Sequence, residues 1–369
     1  MQKKQVAVLD VGSSKITAVI GERGINNTFV IKASASIPCE GFDENGFYEP
    51  EKVKSAIYSA VSEIKNIMRE RLDVVYVGVP GAFTDVIVKN SQISFESKKK
   101  IQEADVDALF DSAFTLHSGD FTLINRSAIV YELDDFRRLA NPIGAVSGIL
   151  KGKLSFVVCN NYFINFITDA VKSAGVAKVE FISASLAESM YLLDEDVRDR
   201  IAVLVDVGYI TSTFTLVQGD GVLYQRTFAF GGGHITGALV EEYEISFDLA
   251  EKLKRKINLS SISSDLTDEI IDMDKGQYFR ISETKKIILS SLDVLCEEIA
   301  ECMEGSGYSI PEYVPLMITG GGIAYLRGAK EHVAGRLNMA VQVIAPKVPM
   351  MDKPIESSKL AILDLALEQ

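Results

Sequence analysis

Two short segments of the chain each place an aspartate, a glycine and hydroxyl residues at the end of an apolar run. The first begins at Asp10 and spans residues 10–15, and the second begins at Asp206 and spans residues 206–213. Glycine lets a turn approach a ligand closely, and successive backbone N–H groups in a turn can bind an anion. An aspartate at a strand end can hold hydrated Mg²⁺. Each segment therefore predicts a strand, a phosphate-binding turn and a second strand.

Two further turns are built from three consecutive glycines. They comprise Gly231, Gly232, Gly233, Gly320, Gly321 and Gly322. We predict that each turn opens a helix and contacts a nucleotide, because the N–H groups and the dipole at a helix N-terminus favour anions. A plain turn between a strand and a helix has the same composition. Together with the two hairpins, these turns predict a nucleotide cleft between two related lobes.

A charged segment after the first glycine triplet is a candidate for the adenosine end of that cleft. Its candidate contacts are Glu251, Lys252 and Lys254. A charged helix is more commonly a solvated face. The basic residues continue through Arg255 and Lys256, and such a cluster in an acidic chain suits an acidic partner segment by charge complementarity. Solvated surface explains the cluster equally well.

The hydrophobic periodicity predicts alternating strands and helices around these turns. Predicted strands cover residues 5–11, 16–21, 28–37, 74–79, 85–95, 121–131, 154–159, 178–182, 314–318 and 340–344. Predicted helices cover 51–71, 103–116, 163–174, 185–194, 232–256, 282–304, a segment ending near 336 and a final one from about 356. The lysines at 98–100 are interpreted as a solvated turn, and 260–275 as a polar connection. The pattern between 82 and 153 is β-α-β-β, which indicates an inserted domain.

Composition limits the classes of function. The 369 residues are 47% hydrophobic and carry a net charge of −13, which suits two or more domains and disfavours a nucleic-acid partner. The four cysteines form no C-x-x-C pair and only three histidines are present, so a zinc site is not expected and the cysteines should be reduced. The chain shows no signal peptide and no apolar run of the roughly 18 residues a spanning helix needs, so we expect a soluble intracellular protein.

In this order, the motifs resemble those of the actin-like ATPase superfamily. Within it, the chain resembles the FtsA family of bacterial cell-division proteins. The resemblance rests on LDVGSSK at 9–15, VGVPG at 77–81, NPIG at 141–144, VDVG at 205–208, FGGGHIT at 230–236, LAEKLK at 249–254 and ITGGG at 318–322. It implies an α/β, actin-like fold of two lobes with duplicated core sheets, a nucleotide cleft between them and a small inserted β/α subdomain.

The resemblance also implies four subdomains. They are IA at 1–81 and 154–195, IC at 82–153, IIA at 200–230 and 305–369, and IIB at 231–304. It implies ATP and Mg²⁺ as cofactors, with Asp10 and Asp206 reaching the metal through water. The remaining implied nucleotide contacts are Gly12, Ser13, Ser14, Lys15, Gly208, Gly231, Gly232, Gly233, Glu251, Lys252, Lys254, Gly320, Gly321 and Gly322.

Partners and location follow from the same resemblance. It implies filaments of the chain itself through IC, binding of the C-terminal tail of FtsZ through IIB, and contacts with other divisome proteins. It implies a cytoplasmic location at the inner face of the cell membrane at the division site. The segment 360–367 is amphipathic but has Lys359 as its only nearby cation. We therefore expect a helix that closes the core, with the membrane reached through a partner or through a C-terminal helix absent from this chain.

The chain departs from the FtsA pattern at the second hairpin. Tyr209 and Ile210 stand where the family has glycines, and Thr213 stands where it has a carboxylate. Ala184 aligns near the position that orients the attacking water, and Glu188 lies one helical turn further on. Phosphoryl transfer depends on positioning the nucleophile. We therefore expect ATP binding with slow or undetectable hydrolysis, and we assign no catalytic residue.

Two other functions fit the same superfamily. A small-molecule kinase would need a base to deprotonate its acceptor, and the sequence offers no well-placed candidate. A pilus-assembly adaptor of the PilM type would share the fold and bind a different short peptide. The sequence alone leaves both alternatives open.

Overall fold

The computed structural model describes residues 4–25, 28–69, 71–115, 119–260, 270–273 and 276–369. The chain divides into two compact units. The first contains Met1–Ala202, Thr215–Gln225 and Ser358–Gln369. The second contains Val203–Phe214 and Arg226–Ser357. Of the predicted polar connection at 260–275, residues 261–269 and 274–275 lie outside the described residues, as does residue 116 at the end of a predicted helix.

Eighteen strands occur in the described part of the chain. They are β1 Gln5–Val11, β2 Lys15–Arg23, β3 Phe29–Pro38, β4 Phe42–Asp43, β5 Gly46–Phe47, β6 Val74–Val79, β7 Thr84–Lys100, β8 Phe121–Leu133, β9 Arg138–Leu139, β10 Val146–Asn160, β11 Lys178–Ser183, β12 Ala202–Val207, β13 Ser212–Gln218, β14 Gly221–Phe228, β15 Ile270–Met273, β16 Gln277–Arg280, β17 Leu316–Thr319 and β18 Val341–Val343.

Ten α-helices accompany them within the same described residues. They are α1 Pro50–Met68, α2 Glu103–Ala113, α3 Asn161–Ser173, α4 Ala184–Leu192, α5 Glu195–Arg198, α6 Gly232–Tyr243, α7 Phe247–Lys256, α8 Ile281–Gly305, α9 Ala329–Leu337 and α10 Ser357–Glu368.

The same five-strand arrangement is built twice. The first sheet has the order β11-β6-β1-β2-β3, and another has the order β14-β13-β12-β17-β18. Read in reverse, the latter matches the former strand for strand, with β12 in the place of β1 and β17 in the place of β6. In both sheets the strand that ends in the aspartate pairs in parallel with a later strand: β1 with β6, and β12 with β17. The predicted duplication of the core sheets is confirmed.

The first sheet is covered by helices that bury one apolar stripe each. In α1 the fully buried residues include Val53, Ile57, Ala60 and Ile64, which recur at intervals of three and four residues. The strands β1 and β2 are buried over most of their length, as expected for strands in the middle of a covered sheet. This packing fixes the ends of β1 and β2, and therefore the hairpin that joins them.

The inserted segment forms its own sheet with the order β7-β10-β8-β9, and α2 packs on one face. Two expectations are corrected there. The lysines at 98–100 continue β7 instead of forming a turn, because Lys99 and Lys100 lie opposite Ser147 and Val146 of β10. The predicted strand at 154–159 is only the end of β10, which begins at Val146 and runs unbroken past the predicted subdomain boundary at 153.

Two helix predictions are also corrected. The segment 232–256 is two helices, since Glu244 ends α6 in the left-handed conformation with φ 50° and Ser246 caps the start of α7. The turn at Gly320 does not open a helix, because α9 begins only at Ala329. Local turn chemistry at these points overrides the longer hydrophobic pattern.

The last helix, α10, closes the core of the first unit, as predicted. Leu360, Ile362 and Leu363 are fully buried. Gly78 of β6 makes room for it, because a Cβ there would lie 2.1 Å from the Cδ1 atom of Ile362. Among the described residues, no helix is both long enough and apolar enough to cross a membrane. All four cysteines are buried and none forms a disulfide.

Candidate nucleotide site

The first hairpin, between β1 and β2, closes with one backbone hydrogen bond. The N–H of Gly12 donates to the carbonyl of Lys15 at 3.1 Å. A Cβ at Gly12 would lie 2.9 Å from that carbonyl oxygen, so the turn favours glycine. The carbonyl of Ser14 accepts from the N–H of Cys39 at 3.0 Å. Ser14 also lines a cavity of about 420 Å³ together with Glu40 of the same unit.

The second hairpin, between β12 and β13, closes in the same way. The N–H of Gly208 donates to the carbonyl of Thr211 at 3.1 Å, and a Cβ at Gly208 would lie 2.6 Å from that oxygen. The two predicted turns therefore share one backbone geometry. They differ in the two residues that follow the glycine, which are Ser13 and Ser14 in the first and Tyr209 and Ile210 in the second.

The second unit brings both glycine triplets onto the second hairpin. A Cβ at Gly231 would lie 2.4 Å from the carbonyl oxygen of Tyr209, and one at Gly232 would lie 2.6 Å from that of Gly322. A Cβ at Gly322 would lie 2.3 Å from the carbonyl oxygen of Gly208. Three backbone segments thus touch at a point where no side chain fits, which explains why glycine occupies these positions.

Three of the glycine amides already have backbone partners. Gly232 donates to Gly208 at 2.9 Å, Gly233 to Tyr209 at 2.7 Å and Gly322 to Val207 at 2.7 Å. At the start of α6, the N–H of His234 also donates to the carbonyl of Gly231, at 3.1 Å. A helix start can bind an anion only through N–H groups that the helix leaves unpaired. Three of the first N–H groups of α6 are therefore engaged within the protein.

A buried ion pair joins α7 to the start of α6. The Lys254 ammonium lies 2.6 Å from the Glu251 carboxylate, and it donates to the carbonyl of Gly232 and the hydroxyl of Thr236, both at 2.8 Å. The Thr236 hydroxyl donates to Glu251 at 2.6 Å. Lys254 is only 6% exposed. A buried ammonium needs partners for its three donors, and here it has all three.

Burial and pairing act in opposite directions on these two groups. Burial alone would raise the pKa of Glu251, but hydrogen bonds from Lys254 and Thr236 outweigh it and the pKa lies below its ordinary value. Burial lowers the pKa of Lys254, and the Glu251 carboxylate opposes that shift. The carboxylate form of Glu251 is thus favoured in the folded protein.

Next to this ion pair is a small cavity with mixed polar and aromatic walls. Its lining includes Glu251, Arg255, Gly321 and Tyr325, and its volume is about 10 Å³. The Arg255 guanidinium donates to Glu251 at 2.8 Å and stacks 5.5 Å from the Tyr325 ring centre. Such walls suit a flat base and a sugar hydroxyl. The present volume holds about one water molecule, so a larger ligand requires the exposed Arg255 side chain to move.

The predicted residues of the charged helix therefore separate into two groups. Glu251 and Lys254 lie at the cavity, whereas Lys252 is exposed and does not line it. Because Lys254 is buried, the exposed part of the predicted basic cluster consists of Lys252, Arg255 and Lys256.

The two aspartates have different neighbours. Asp10 accepts a hydrogen bond from the Ser358 hydroxyl at 2.8 Å. Asp206 lies against Gly320, where a Cβ would be 2.1 Å from its Oδ1 atom and where φ is +89°. No group of three or more His, Cys, Asp or Glu side chains able to hold a metal occurs among the described residues. Coordination of Mg²⁺ through water, which needs fewer protein ligands, stays a prediction.

Several residues of this site escaped the sequence reasoning. Thr236 and Ser358 contact predicted residues, and Tyr325 contacts Arg255, which the sequence reasoning named only as part of the basic cluster. Only the FGGGHIT motif, which contains Thr236, carried a signal. The others are brought in by tertiary packing.

The fold is the actin-like fold. A solved chain from the PilM–PilN type IV pilus biogenesis complex superposes with a TM-score of 0.66 at 16% identity, covering 100% of this chain and 99% of the other. MreB5 of Spiroplasma citri, solved bound to ADP, gives a TM-score of 0.56 at 10% identity and covers 99% and 98%. These likenesses confirm the fold predicted from the motifs.

The sequence itself is similar to FtsA proteins. It is 22% identical to the cell division protein FtsA of Escherichia coli K12 over 253 residues, which are 68% of this chain and 60% of the relative. It is 20% identical to FtsA of Neisseria meningitidis over 353 residues, which are 94% of this chain and 85% of the relative. The resemblance to FtsA is thereby confirmed, although the match to the E. coli protein spans only 60% of that protein's length.

A second family matches part of the chain. The family described as type IV pilus assembly protein PilM matches residues 165–271. This segment includes the second hairpin, the first glycine triplet and the ion pair of α7. The chain is thus similar in sequence both to FtsA proteins and, over part of its length, to the PilM family.

Proposed function

We propose that this protein is an ATP-binding, filament-forming adaptor of bacterial cell division that acts as FtsA does. The proposal is supported chiefly by the similarity to FtsA along 94% of the chain in the N. meningitidis comparison. The duplicated glycine hairpins and the paired Glu251 and Lys254 support nucleotide binding. The relative solved with ADP adds that proteins of this fold hold adenine nucleotides.

The predicted site residues take distinct roles in this proposal. Ser13, Ser14 and Lys15 hold phosphate groups, and Lys15 supplies the positive charge. Asp10 and Asp206 would hold hydrated Mg²⁺, which would neutralise phosphate charge. Glu251 contacts the ribose, and Lys254 fixes the position of Glu251 relative to the start of α6. The glycine triplets allow the close backbone contacts that hold these groups in place.

The protein acts as a scaffold with slow hydrolysis at most. Ala184 is the first residue of α4 and has no group able to orient water. Glu188, one turn later, is 3% exposed. A carboxylate so deeply buried has little contact with a solvent-derived nucleophile. ATP can then promote assembly only if it binds the assembling conformation more tightly than the other conformation.

Assembly and partner binding are assigned to separate subdomains. We assign the filament contact to IC at 82–153, and the FtsZ tail to IIB at 231–304, with IA and IIA carrying the nucleotide hairpins. Other divisome proteins bind the remaining surface. The protein then works in the cytoplasm at the division site, on the inner face of the membrane.

A pilus-assembly adaptor of the PilM type is the second candidate. The PilM family match at 165–271 and the TM-score of 0.66 to a chain of the PilM–PilN complex favour it specifically. The two candidates predict different peptide ligands, so peptide binding separates them.

The decisive experiment measures peptide binding and sedimentation of the purified chain. With ATP and Mg²⁺ we expect filaments that pellet, and more pelleting when a labelled FtsZ tail peptide is bound. Binding of an N-terminal PilN peptide in place of the FtsZ tail would favour the pilus candidate. Binding of neither peptide, together with no nucleotide-dependent pelleting, would refute both.

The filament contact has a matched pair of variants. Ile143, in the turn after Asn141, and Ile67, in α1, are each 51% exposed. We expect Ile143→Asp to abolish pelleting and Ile67→Asp to preserve it, because only the former lies in IC. Equal pelleting of the two variants would contradict the assignment of the filament contact.

A further inference from the structure

The second hairpin carries an aromatic side chain where the first carries serine. Tyr209 lies directly after Gly208, and its ring rests on the start of α6, where a Cβ at Gly233 would lie 3.2 Å from two of the ring carbons. The ring also meets Phe247 at the start of α7, with ring centres 6.2 Å apart and planes at 67°. This edge-to-face geometry is a favourable aromatic contact. The side chain of Tyr209 therefore ties the hairpin to both helices.

The backbone of the same turn is also held in place, by hydrogen bonds from the two glycine triplets. The carbonyls of Val207, Gly208 and Tyr209 accept the N–H groups of Gly322, Gly232 and Gly233. A turn binds phosphate through its own successive N–H groups, and the ligand needs open space beside the turn. Here the N–H groups that converge on the turn from both glycine triplets are turned toward its carbonyls. The first hairpin differs, since its Ser14 lines a cavity of about 420 Å³.

We infer that the second hairpin is a packing element anchored by Tyr209, and that the first hairpin alone grips the phosphate groups. This inference rests on the proposed nucleotide binding and specifies its ligand class. If one hairpin binds the phosphate groups instead of two, the terminal phosphate of ATP adds few contacts and little binding free energy. The site therefore accepts adenosine di- and triphosphates with nearly equal affinity.

Calorimetry with ADP and with a non-hydrolysable ATP analogue, both with Mg²⁺, tests this directly. We expect the two dissociation constants to agree within about threefold, against the tenfold that 1.4 kcal/mol of additional contact would give. An analogue bound more than about tenfold tighter than ADP would overturn the inference while leaving nucleotide binding intact. Binding of neither nucleotide would instead overturn the proposed function, and the inference with it.

Two variants of Tyr209 separate packing from ligand contact. Tyr209→Phe retains the ring, so we expect wild-type thermal stability and a wild-type ratio of the two affinities. Tyr209→Gly removes the ring, so we expect a lower melting temperature. Weaker binding of either nucleotide to Tyr209→Phe would show that the phenol hydroxyl touches the ligand and would overturn the inference. Unchanged stability of Tyr209→Gly would do so too, because the ring would then anchor nothing.

Discussion

The first and second hairpins close with the same 3.1 Å hydrogen bond, from Gly12 to Lys15 and from Gly208 to Thr211. Their surroundings differ. The first turn borders a cavity through Ser14, whereas the second is enclosed by backbone from two glycine triplets and by the ring of Tyr209. One backbone motif thus borders a cavity in one unit and is tightly packed in the other.

The comparison teaches that a repeated motif does not imply a repeated role. The hydrogen-bonded turn is set by residues within the hairpin, but its access to a ligand is set by what packs against it. Around the second turn, backbone atoms of Gly231 and Gly322 occupy the space that side chains or ligand atoms would otherwise fill. Stability should therefore depend more on the second hairpin, and affinity for nucleotide more on the first.

The largest effect on stability is expected for Gly322→Ala. The new Cβ would lie 2.3 Å from the carbonyl oxygen of Gly208, and backbone can yield only by opening the contact. We expect a loss of about 4 kcal/mol in the free energy of unfolding, measured by chemical denaturation. Gly237→Ala, inside α6 with nothing within 4 Å, is the control and should gain about 0.5 to 1 kcal/mol. A small loss for Gly322→Ala would show that the second turn is loosely packed.

Lys254→Met should have the next largest effect on stability. It leaves the Glu251 carboxylate, the Thr236 hydroxyl and the Gly232 carbonyl without the ammonium that joins them. We expect a loss of about 3 kcal/mol, the usual cost of breaking a buried ion pair. The same substitution at exposed Lys252 should change stability by less than about 0.5 kcal/mol. Similar losses at the two positions would contradict the buried network.

Lys15→Ala tests the opposite side of the comparison. We expect affinity for ADP to fall about tenfold, because a charge-assisted phosphate contact is lost, while stability changes by less than about 0.5 kcal/mol. Calorimetric titration and a thermal melt measure the two quantities. A variant that binds ADP normally but melts early would assign Lys15 a packing role and reverse the comparison.

The smallest effect is a difference in acid sensitivity. The pKa of Glu251 is lower in the folded protein than its ordinary value of 4.5. Its carboxylate therefore stabilises the fold above pH 4.5, and this contribution is lost as the pH falls through the lower folded pKa. Melting temperatures measured across this range should fall more steeply for the wild type than for Glu251→Gln. Parallel curves would mean that the hydrogen bonds and ion pairs of Glu251 do not stabilise its carboxylate in the folded protein.

Much of the fold was predictable because its signals are local. Apolar runs ending in Asp10 and Asp206 placed β1 and β12, and the helical spacing at 51–71 placed α1 within three residues at its end. Strand ends and helix junctions were less accessible. The lysines of β7 are polar enough for a turn, yet pairing with β10 holds them in a strand. The break between α6 and α7 depends on Glu244 in a left-handed conformation. Glutamate rarely adopts that conformation, so its presence in the sequence does not predict a break.

By itself, the sequence determined the duplicated hairpins, the glycines at which no side chain fits and the amphipathic helices. These follow from side-chain type and spacing, which act within one element. Only the tertiary structure decided that Lys254 is buried while Lys252 is exposed, that Ser358 reaches Asp10, and that the glycine amides pair with the carbonyls of the second hairpin. Such contacts join residues far apart in the chain. Their energies depend on distances of a few tenths of an ångström that no local pattern encodes.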